Sequence, residues 1–117
     1  MPARILDGKT LAQDLRQRIS LRAADLRARG LPVRLDAVLA CSGGDAASSV
    51  YAENQARLCR DLGIDYQLHE LAGGAGAGDI ADLIDRLNDD PGVRAIMVHL
   101  PLPDGVDTYK IQSRISP

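Results

Sequence analysis

Apolar residues along the chain repeat with the spacing of an amphipathic helix in some segments and with that of a buried strand in others. Residues 10–29 show the helical spacing, with apolar side chains placed for one face at Leu11, Leu15, Ile19 and Leu26. Thr10 and Gln13 are spaced as a capping box at the start of this segment, and Gly30 with Pro32 ends it. The pattern therefore predicts a long first helix.

Three apolar runs of strand length separate further helical segments. They lie at residues 35–40, 64–69 and 93–98, and the middle run alternates apolar with polar side chains. The other helical segments lie at about residues 46–62, 79–87 and 108–114. The apolar positions of the segment that follows the glycine-rich run are Ile80, Leu83, Ile84 and Leu87. Helix and strand therefore alternate along the chain.

Strands that alternate with helices pair in parallel through right-handed crossovers, and helices cover both faces of the resulting sheet. We therefore predict an α/β fold, a three-layer α/β/α domain with a mostly parallel sheet. Such a sheet binds ligands beyond the carboxyl ends of its strands. In this chain the rule singles out the loop 41–48, the loop 72–78 and the segment from His99 onward.

Size and charge narrow the classes of protein. The 117 residues suffice for one domain with a real core, and 45% of them are apolar. A net charge of −2 gives no electrostatic basis for binding nucleic acid or a membrane surface. The sequence has no bilayer-spanning apolar run and no signal peptide at its start. Cys41 and Cys59 lack metal-ligand spacing, so we expect reduced thiols and a cytoplasmic protein.

One face of the second predicted helix carries Ser48, Tyr51 and Gln55, at positions i, i+3 and i+7. Ser48 lies in the first turn, which Asp45 is placed to cap, and hence near the strand ends. Tyr51 there could stack on a flat ligand and offer its hydroxyl group. The alternative is a half-buried tyrosine that packs on the sheet, and spacing alone leaves both interpretations open.

His99 directly follows the third predicted strand, where a parallel sheet presents functional groups. It could act as a general acid or base near neutral pH, or it could only satisfy a nearby carbonyl group. Pro101 and Pro103 stiffen the loop that follows. His69, on the polar side of the second strand, is predicted to be solvated.

The glycine-rich run 73–78 precedes a helix, where a phosphate cradle would lie. It matches neither the G-x-G-x-x-G pattern nor a P-loop, so a connector is the simpler interpretation, with Asp79 as the N-cap of the helix. No cluster of histidine, cysteine and acidic residues indicates a metal site, and we expect none.

Three segments carry a more specific pattern. Residues 5–9, 45–51 and 98–103 are Ile-Leu-Asp-Gly-Lys, Asp-Ala-Ala-Ser-Ser-Val-Tyr and Val-His-Leu-Pro-Leu-Pro. Together and in this order they resemble the motifs I-x-D-G-K, D-P-A-S-x-x-Y and V-Q-L-P-L-P of bifunctional methylenetetrahydrofolate dehydrogenase/cyclohydrolases, with Ala46 in place of a proline. The L-P-L-P motif is specific, whereas D-G-K alone would be weak.

The resemblance implies that residues 1–117 form a single folate-binding domain of the catalytic type, whose ligand is tetrahydrofolate or methylene-tetrahydrofolate. It implies that Tyr51 lies against the folate rings and that Ser48, Leu100 and Pro101 lie beside the ligand. The family's acidic pterin-contacting stretch and its nucleotide-binding domain would follow Pro117. We therefore expect no NADP on this chain.

Two side chains that do chemistry in the family differ here. The resemblance implies a lysine for cyclohydrolase chemistry at position 55, where this chain has Gln55, and a glutamine that holds the lysine at position 99, where it has His99. A primary amide cannot exchange protons near neutral pH, so Gln55 cannot replace the lysine as an acid or base. The residues we single out as catalytic positions are Tyr51, Gln55 and His99.

Three hypotheses follow from these departures. The chain could pass the carbon of methylene-tetrahydrofolate to a nucleophile other than water, with His99 moving the proton. It could be a non-catalytic paralogue or binding module that keeps only the fold. It could also be one half of a split enzyme, completed by a partner chain or by a homo-oligomer.

Overall fold

Helices and strands alternate in the computed structural model of the chain, which describes residues 2–40 and 46–117. The helices in this part are α1 (Gly8–Ala28), α2 (Ala46–Leu62), α3 (Ala77–Asp89) and α4 (Thr108–Ser113). The strands are β1 (Arg34–Ala40), β2 (Asp65–Leu71) and β3 (Ala95–Val98). Each predicted element is therefore present, with its ends shifted by no more than about two residues, as is usual at helix and strand ends.

β1 is the central strand of a three-stranded sheet with the order β2-β1-β3, and both pairings are parallel. Val38 of β1 lies level with His69 of β2 and with Val98 of β3. Because side chains alternate between the two faces of a strand, this register decides which residues share a face. The predicted α/β class with parallel pairing is confirmed.

Helices cover both faces of the sheet. On one face, Val38 and Ala40 of β1 lie in an apolar core with α3, α4 and β3. The other buried members of this core are Ile80, Leu83, Ile84, Leu87, Val98 and Ile111. On the opposite face, Gln55 of α2 contacts Met97 of β3 and Tyr66 of β2. The four apolar positions predicted for α3 are thus all buried, and the layers are helix, sheet and helix.

α1 packs beside α2 and the start of β2 through a small residue and an arginine. Ala23 is buried, and Arg27 Nε donates a hydrogen bond of 2.7 Å to the carbonyl oxygen of Gly63. Arg27 also forms an ion pair of 2.9 Å with Asp65. The predicted apolar face of α1 is largely exposed, with exposed fractions of 61% at Leu11, 47% at Leu15 and 41% at Ile19. The spacing predicted the helix correctly, although this face lies outside the core.

The start of α1 differs from the prediction. Asp7 is the N-cap, and its carboxylate accepts hydrogen bonds from the backbone nitrogens of Lys9 at 3.1 Å and Thr10 at 3.4 Å. The hydroxyl group of Thr10 donates to the same carboxylate at 2.7 Å, and this bond is the main cause that lowers the pKa of Asp7. The predicted capping box of Thr10 and Gln13 is therefore wrong, because the aspartate upstream already satisfies the first amides.

The start of α3 also differs. Gly76 is the N-cap, and the carboxylate of Asp79 accepts a hydrogen bond of 3.0 Å from the backbone nitrogen of Gly76. Asp79 therefore occupies the third helical position and is not the N-cap. The charged residues that line the adjoining cavity are three aspartates, Asp79, Asp82 and Asp85, and one arginine, Arg86. The excess of acidic groups opposes a phosphate group, so the run 73–78 is best explained as a connector. The cap predicted at Asp45 lies outside the described residues.

The buried carboxylate of Asp36 corrects the prediction for His69. Asp36 is fully buried, and Arg34 donates two hydrogen bonds of 2.8 Å to its carboxylate. His69 Nε2 lies 2.7 Å from Asp36 Oδ2, and the histidine side chain is only 26% exposed. The register brings these side chains together on the α3 face of neighbouring strands. His69 is therefore not solvated, because a buried carboxylate needs charged or hydrogen-bonding partners.

We predict that Asp36→Ala lowers the free energy of unfolding by about 3 kcal/mol, since it removes the buried carboxylate that contacts both Arg34 and His69 and leaves the partly buried guanidinium only Gln67 and, at 3.8 Å, Asp90. Asp65→Ala is the matched control, because it also removes a strand aspartate from an arginine pair. The Asp65 side chain is 65% exposed, so its loss should cost under about 1 kcal/mol. Urea unfolding measures both values, and equal losses would contradict a structural role for the buried pair.

Candidate functional site

A cleft of about 800 Å³ opens at the carboxyl end of β3, between α2 and α4. This volume lies in the range of small-molecule sites. The residues that line it are Ser48, Tyr51, Ile96, Met97, Val98, His99, Leu100, Pro101, Gln112 and Ile115. The cleft coincides with one of the places that the strand-end rule singled out, the segment from His99 onward.

The structure brings most of the predicted site residues together in this cleft. Ser48 and Tyr51 come from the first turns of α2, and His99, Leu100 and Pro101 come from the segment that follows β3. They meet because a parallel sheet places the start of α2 and the end of β3 at the same edge. The Leu100–Pro101 peptide bond in this segment is cis.

Tyr51 and His99 form the wall of the cleft. Their rings meet edge to face, with 5.6 Å between the centroids and an angle of 79° between the planes. Tyr51 is 58% exposed, whereas His99 is only 4% exposed. Tyr51 thus contacts the histidine at the cleft and leaves much of its surface open, which is what a stacking surface for a flat ligand requires.

Gln55 lies behind this wall and does not line the cleft. Its Nε2 donates to the sulfur of Met97 at 2.9 Å, and its Oε1 accepts a hydrogen bond of 2.9 Å from the hydroxyl group of Tyr66. The same hydroxyl oxygen lies 3.3 Å from Nε2 of His99. The predicted association of Gln55 with His99 is therefore indirect, because Tyr66 lies between them.

Burial sets the ionisation of the two titratable members of this group. Burial lowers the pKa of His99 from its ordinary value of 6.5. Burial, with smaller contributions from Cys59 and Tyr51, raises the pKa of Tyr66 to about 12. At neutral pH the favoured forms are therefore a neutral imidazole and a protonated phenol, which can relay hydrogen bonds without carrying charge.

Sequence reasoning missed Tyr66, Gln112 and Ile115. Tyr66 was assigned only to an alternating strand, although that alternation places it on the sheet face opposite His69, the face that α2 covers. Gln112 of α4 and Ile115, just after α4, reach the cleft because α4 packs against α3, and neither was predicted as a site residue. Ser48, also missed as a buried group, is only 7% exposed.

The described residues offer little else that could react near this cleft. Within residues 2–40 and 46–117, no group of three or more histidine, cysteine or acidic side chains could hold a metal ion. In the same ranges, no helix is long and apolar enough to cross a membrane.

Cys59 is a free, buried thiol whose pKa burial raises, so it is a poor nucleophile. His99 is thus the titratable group of the cleft best suited to move a proton near neutral pH.

The fold and the cleft define an α/β domain of the class that binds small molecules beyond the carboxyl ends of parallel strands. The profile of the tetrahydrofolate dehydrogenase/cyclohydrolase catalytic domain matches residues 6–117. The chain belongs to this family, in agreement with the resemblance of its three motifs.

Relatives of known sequence support the assignment. The chain is 40% identical over 115 residues to the bifunctional protein FolD 1 of Rubrobacter xylanophilus. This match covers 98% of the chain and 40% of the relative. It is also 40% identical over 116 residues to the bifunctional protein FolD of Moorella thermoacetica, with 99% of the chain and 41% of the relative covered. The chain therefore spans about two fifths of the length of these relatives.

Solved structures show the same fold. The bifunctional FolD methylenetetrahydrofolate dehydrogenase/cyclohydrolase of Campylobacter jejuni matches 94% of the chain and 38% of its own length, with a TM-score of 0.87 and 29% identity. The Trypanosoma brucei methylenetetrahydrofolate dehydrogenase-cyclohydrolase, solved with NADP and an inhibitor, matches 100% of the chain and 40% of its own length, with a TM-score of 0.82 and 25% identity.

The lowered pKa of His99 predicts how stability depends on pH. The unfolded chain binds more protons than the folded chain between the folded-state pKa and about 6.5, so the stability linked to His99 is complete above that value and is lost as the pH falls. We predict that His99→Gln makes the free energy of unfolding less sensitive to pH between about pH 5 and pH 7.5. Urea unfolding at both ends of this interval tests it, and an unchanged pH dependence in the variant would contradict it.

Proposed function

We propose that the cleft binds tetrahydrofolate in its methylene form and that His99 moves a proton while the carbon passes to a nucleophile other than water. The observation that carries the proposal is the wall of the cleft, where an exposed tyrosine ring meets a buried histidine. Membership of the family supports a folate as the ligand. Gln55 and His99, at the two positions that depart from the family motifs, support a changed reaction.

The binding part of the proposal rests on Tyr51 and the loop after β3. A folate offers flat aromatic groups, and a half-exposed tyrosine ring is a suitable surface for stacking on them. Leu100 and Pro101 form an apolar border on the same cleft, and Ser48 adds a hydroxyl group. These are the positions that the resemblance implies for ligand contact.

The chemical part rests on Gln55 and His99. The amide of Gln55 cannot exchange protons near neutral pH, and both of its ends already contact Met97 and Tyr66. Cyclohydrolase chemistry through a lysine at this position is thereby lost. His99 lines the cleft as a neutral imidazole, a form able to accept a proton.

Transfer of the methylene carbon at its own oxidation level requires no hydride acceptor. The acceptor forms two bonds to the carbon as the two folate carbon–nitrogen bonds break in turn, and at each step the proton that the acceptor loses matches the proton that the departing folate nitrogen gains. We therefore propose that this chain needs no NADP for its step and that residues 1–117 act as one folate-binding domain.

A second candidate is one component of a larger assembly, completed by a partner chain or a homo-oligomer. The specific observation in its favour is the exposed apolar face of α1, continued by Ile5 and Leu6, which are 92% and 88% exposed. Apolar patches of this kind mark interaction surfaces. In this candidate the cleft would bind folate only after assembly.

We predict that calorimetric titration detects binding of methylene-tetrahydrofolate and of tetrahydrofolate, and that Tyr51→Ala weakens it by about tenfold or more through lost stacking. Tyr109→Ala is the matched control, because Tyr109 is 80% exposed on α4 and lies outside the cleft. Binding unaffected by Tyr51→Ala would place the ligand elsewhere. No binding by the wild-type chain at high ligand concentration would favour the second candidate or a domain that no longer binds folate.

We predict that His99→Gln keeps folate binding but slows carbon transfer on the order of a hundredfold, the usual contribution of one general acid or base. Glutamine is the residue that the family resemblance implies at this position, so the side chain should be tolerated. The assay supplies methylene-tetrahydrofolate labelled at the methylene carbon together with amine and thiol acceptors, and NMR follows the label. Equal transfer rates in wild type and variant would exclude His99 from the reaction.

A further inference from the structure

We infer that Tyr66 holds His99 in the tautomer that carries its proton on Nε2, so that Nδ1 is the basic atom His99 offers to the cleft. Tyr66 is then a positioning residue: it acts through His99 and does not line the cleft itself. A chain of hydrogen bonds from Met97 through Gln55 and Tyr66 to His99 fixes this tautomer, and it does not depend on a bound folate.

The contacts of Gln55 fix which end of its amide faces Tyr66. The sulfur of Met97 can only accept a hydrogen bond, so the amino end of the Gln55 amide belongs against it. The carbonyl end then faces Tyr66 at 2.9 Å and can only accept. The reversed amide would place an oxygen against the sulfur and leave both without a donor.

The direction of the Tyr66 hydroxyl group is the second step. A phenol has one hydrogen to donate, and the carbonyl end of Gln55 requires it. Burial keeps this hydrogen in place at neutral pH, because it raises the pKa of Tyr66 to about 12. What Tyr66 presents to His99, at 3.3 Å, is therefore a lone pair, and Nε2 must be the donor of that contact.

The state of His99 is the third step. A neutral imidazole has one N–H group, so a hydrogen on Nε2 leaves Nδ1 unprotonated. Nε2 of His99 contacts Tyr66, which lies outside the cleft, and the His99 ring lines the cleft, so Nδ1 is the ring nitrogen assigned to serve a ligand there.

The consequence for chemistry rests on the proposed function. A histidine with a free lone pair in the cleft acts first as a base, so it would remove the proton of the acceptor and would not begin by protonating the folate. The imidazolium that forms still donates from Nε2 to Tyr66, so this hydrogen bond survives the proton transfer. The proton can then pass from Nδ1 to the folate nitrogen that leaves the carbon, which restores the neutral histidine.

NMR of isotope-labelled imidazole nitrogens tests the tautomer directly in the ligand-free protein. The chain has only two histidines, so two imidazole patterns are expected. At about pH 7.5, where a neutral imidazole dominates, wild-type His99 should show an N–H type Nε2 and an unprotonated Nδ1. In Tyr66→Phe, which keeps the ring but loses the hydroxyl group, His99 should become a mixture of tautomers.

Gln55→Leu is the sharper variant. It removes the acceptor of the phenol hydrogen, so Tyr66 can turn its hydroxyl group and donate to Nε2 of His99. The His99 signals should then shift toward the tautomer with the hydrogen on Nδ1. His69 is the internal control, because its Nε2 contacts Asp36 on the opposite face of the sheet and its signals should not move if the fold is intact.

Two results would overturn the inference: a wild-type His99 that carries its proton on Nδ1, or Nε2–H signals that persist unchanged in both variants while His69 confirms the fold. Failure of folate binding leaves the tautomer measurement untouched, so it counts only against the proposed function. Conversely, a chain that binds folate but shows the other tautomer would retain the binding site and lose this role of Tyr66.

Discussion

The register of β1 between its two parallel neighbours is the constraint on which the rest of this structure depends. Val38 lies level with both His69 and Val98, so the two-residue period of the strands sorts every side chain of the sheet to one helix layer or the other. The face toward α3 receives the apolar core and the Asp36 ion pair. A shift of one residue would exchange the two faces and place the core side chains against the cleft.

Each face of the sheet contains one histidine, and different interactions stabilise the two side chains. His69 lies beside a fully buried carboxylate that also pairs with Arg34, so charge dominates its surroundings. His99 lies against the phenol of Tyr66 and the ring of Tyr51, where desolvation lowers its pKa. The contact between Asp36 and His69 links β1 to β2, whereas a neutral imidazole beside a cleft remains able to take up a proton. This difference is the physical reason for assigning a structural role to one histidine and a chemical role to the other.

The sequence was informative wherever the answer depends on local periodicity or on the edge rule of parallel sheets. It predicted the order of elements and the buried face of α3, and it placed both the start of α2 and His99 at the strand ends. It failed where the answer depends on how strands are aligned: no local pattern shows that His69 reaches Asp36 or that Tyr66 reaches Gln55. For α1 the apolar spacing predicted the helix correctly but not the burial of its apolar face. Periodicity shows that a helix has an apolar face, but not whether another element covers that face.

The two departures from the family motifs, Gln55 and His99, are connected through the hydroxyl group of Tyr66. A lysine at position 55 would present only donors, so it could not accept the hydrogen of the Tyr66 phenol. That hydrogen would then turn toward His99 Nε2 and move the imidazole proton to the cleft side. An amide supplies both a donor for the Met97 sulfur and an acceptor for Tyr66. On the proposed function, Gln55 is therefore proposed as the residue that orients a histidine base, in place of the family's catalytic lysine.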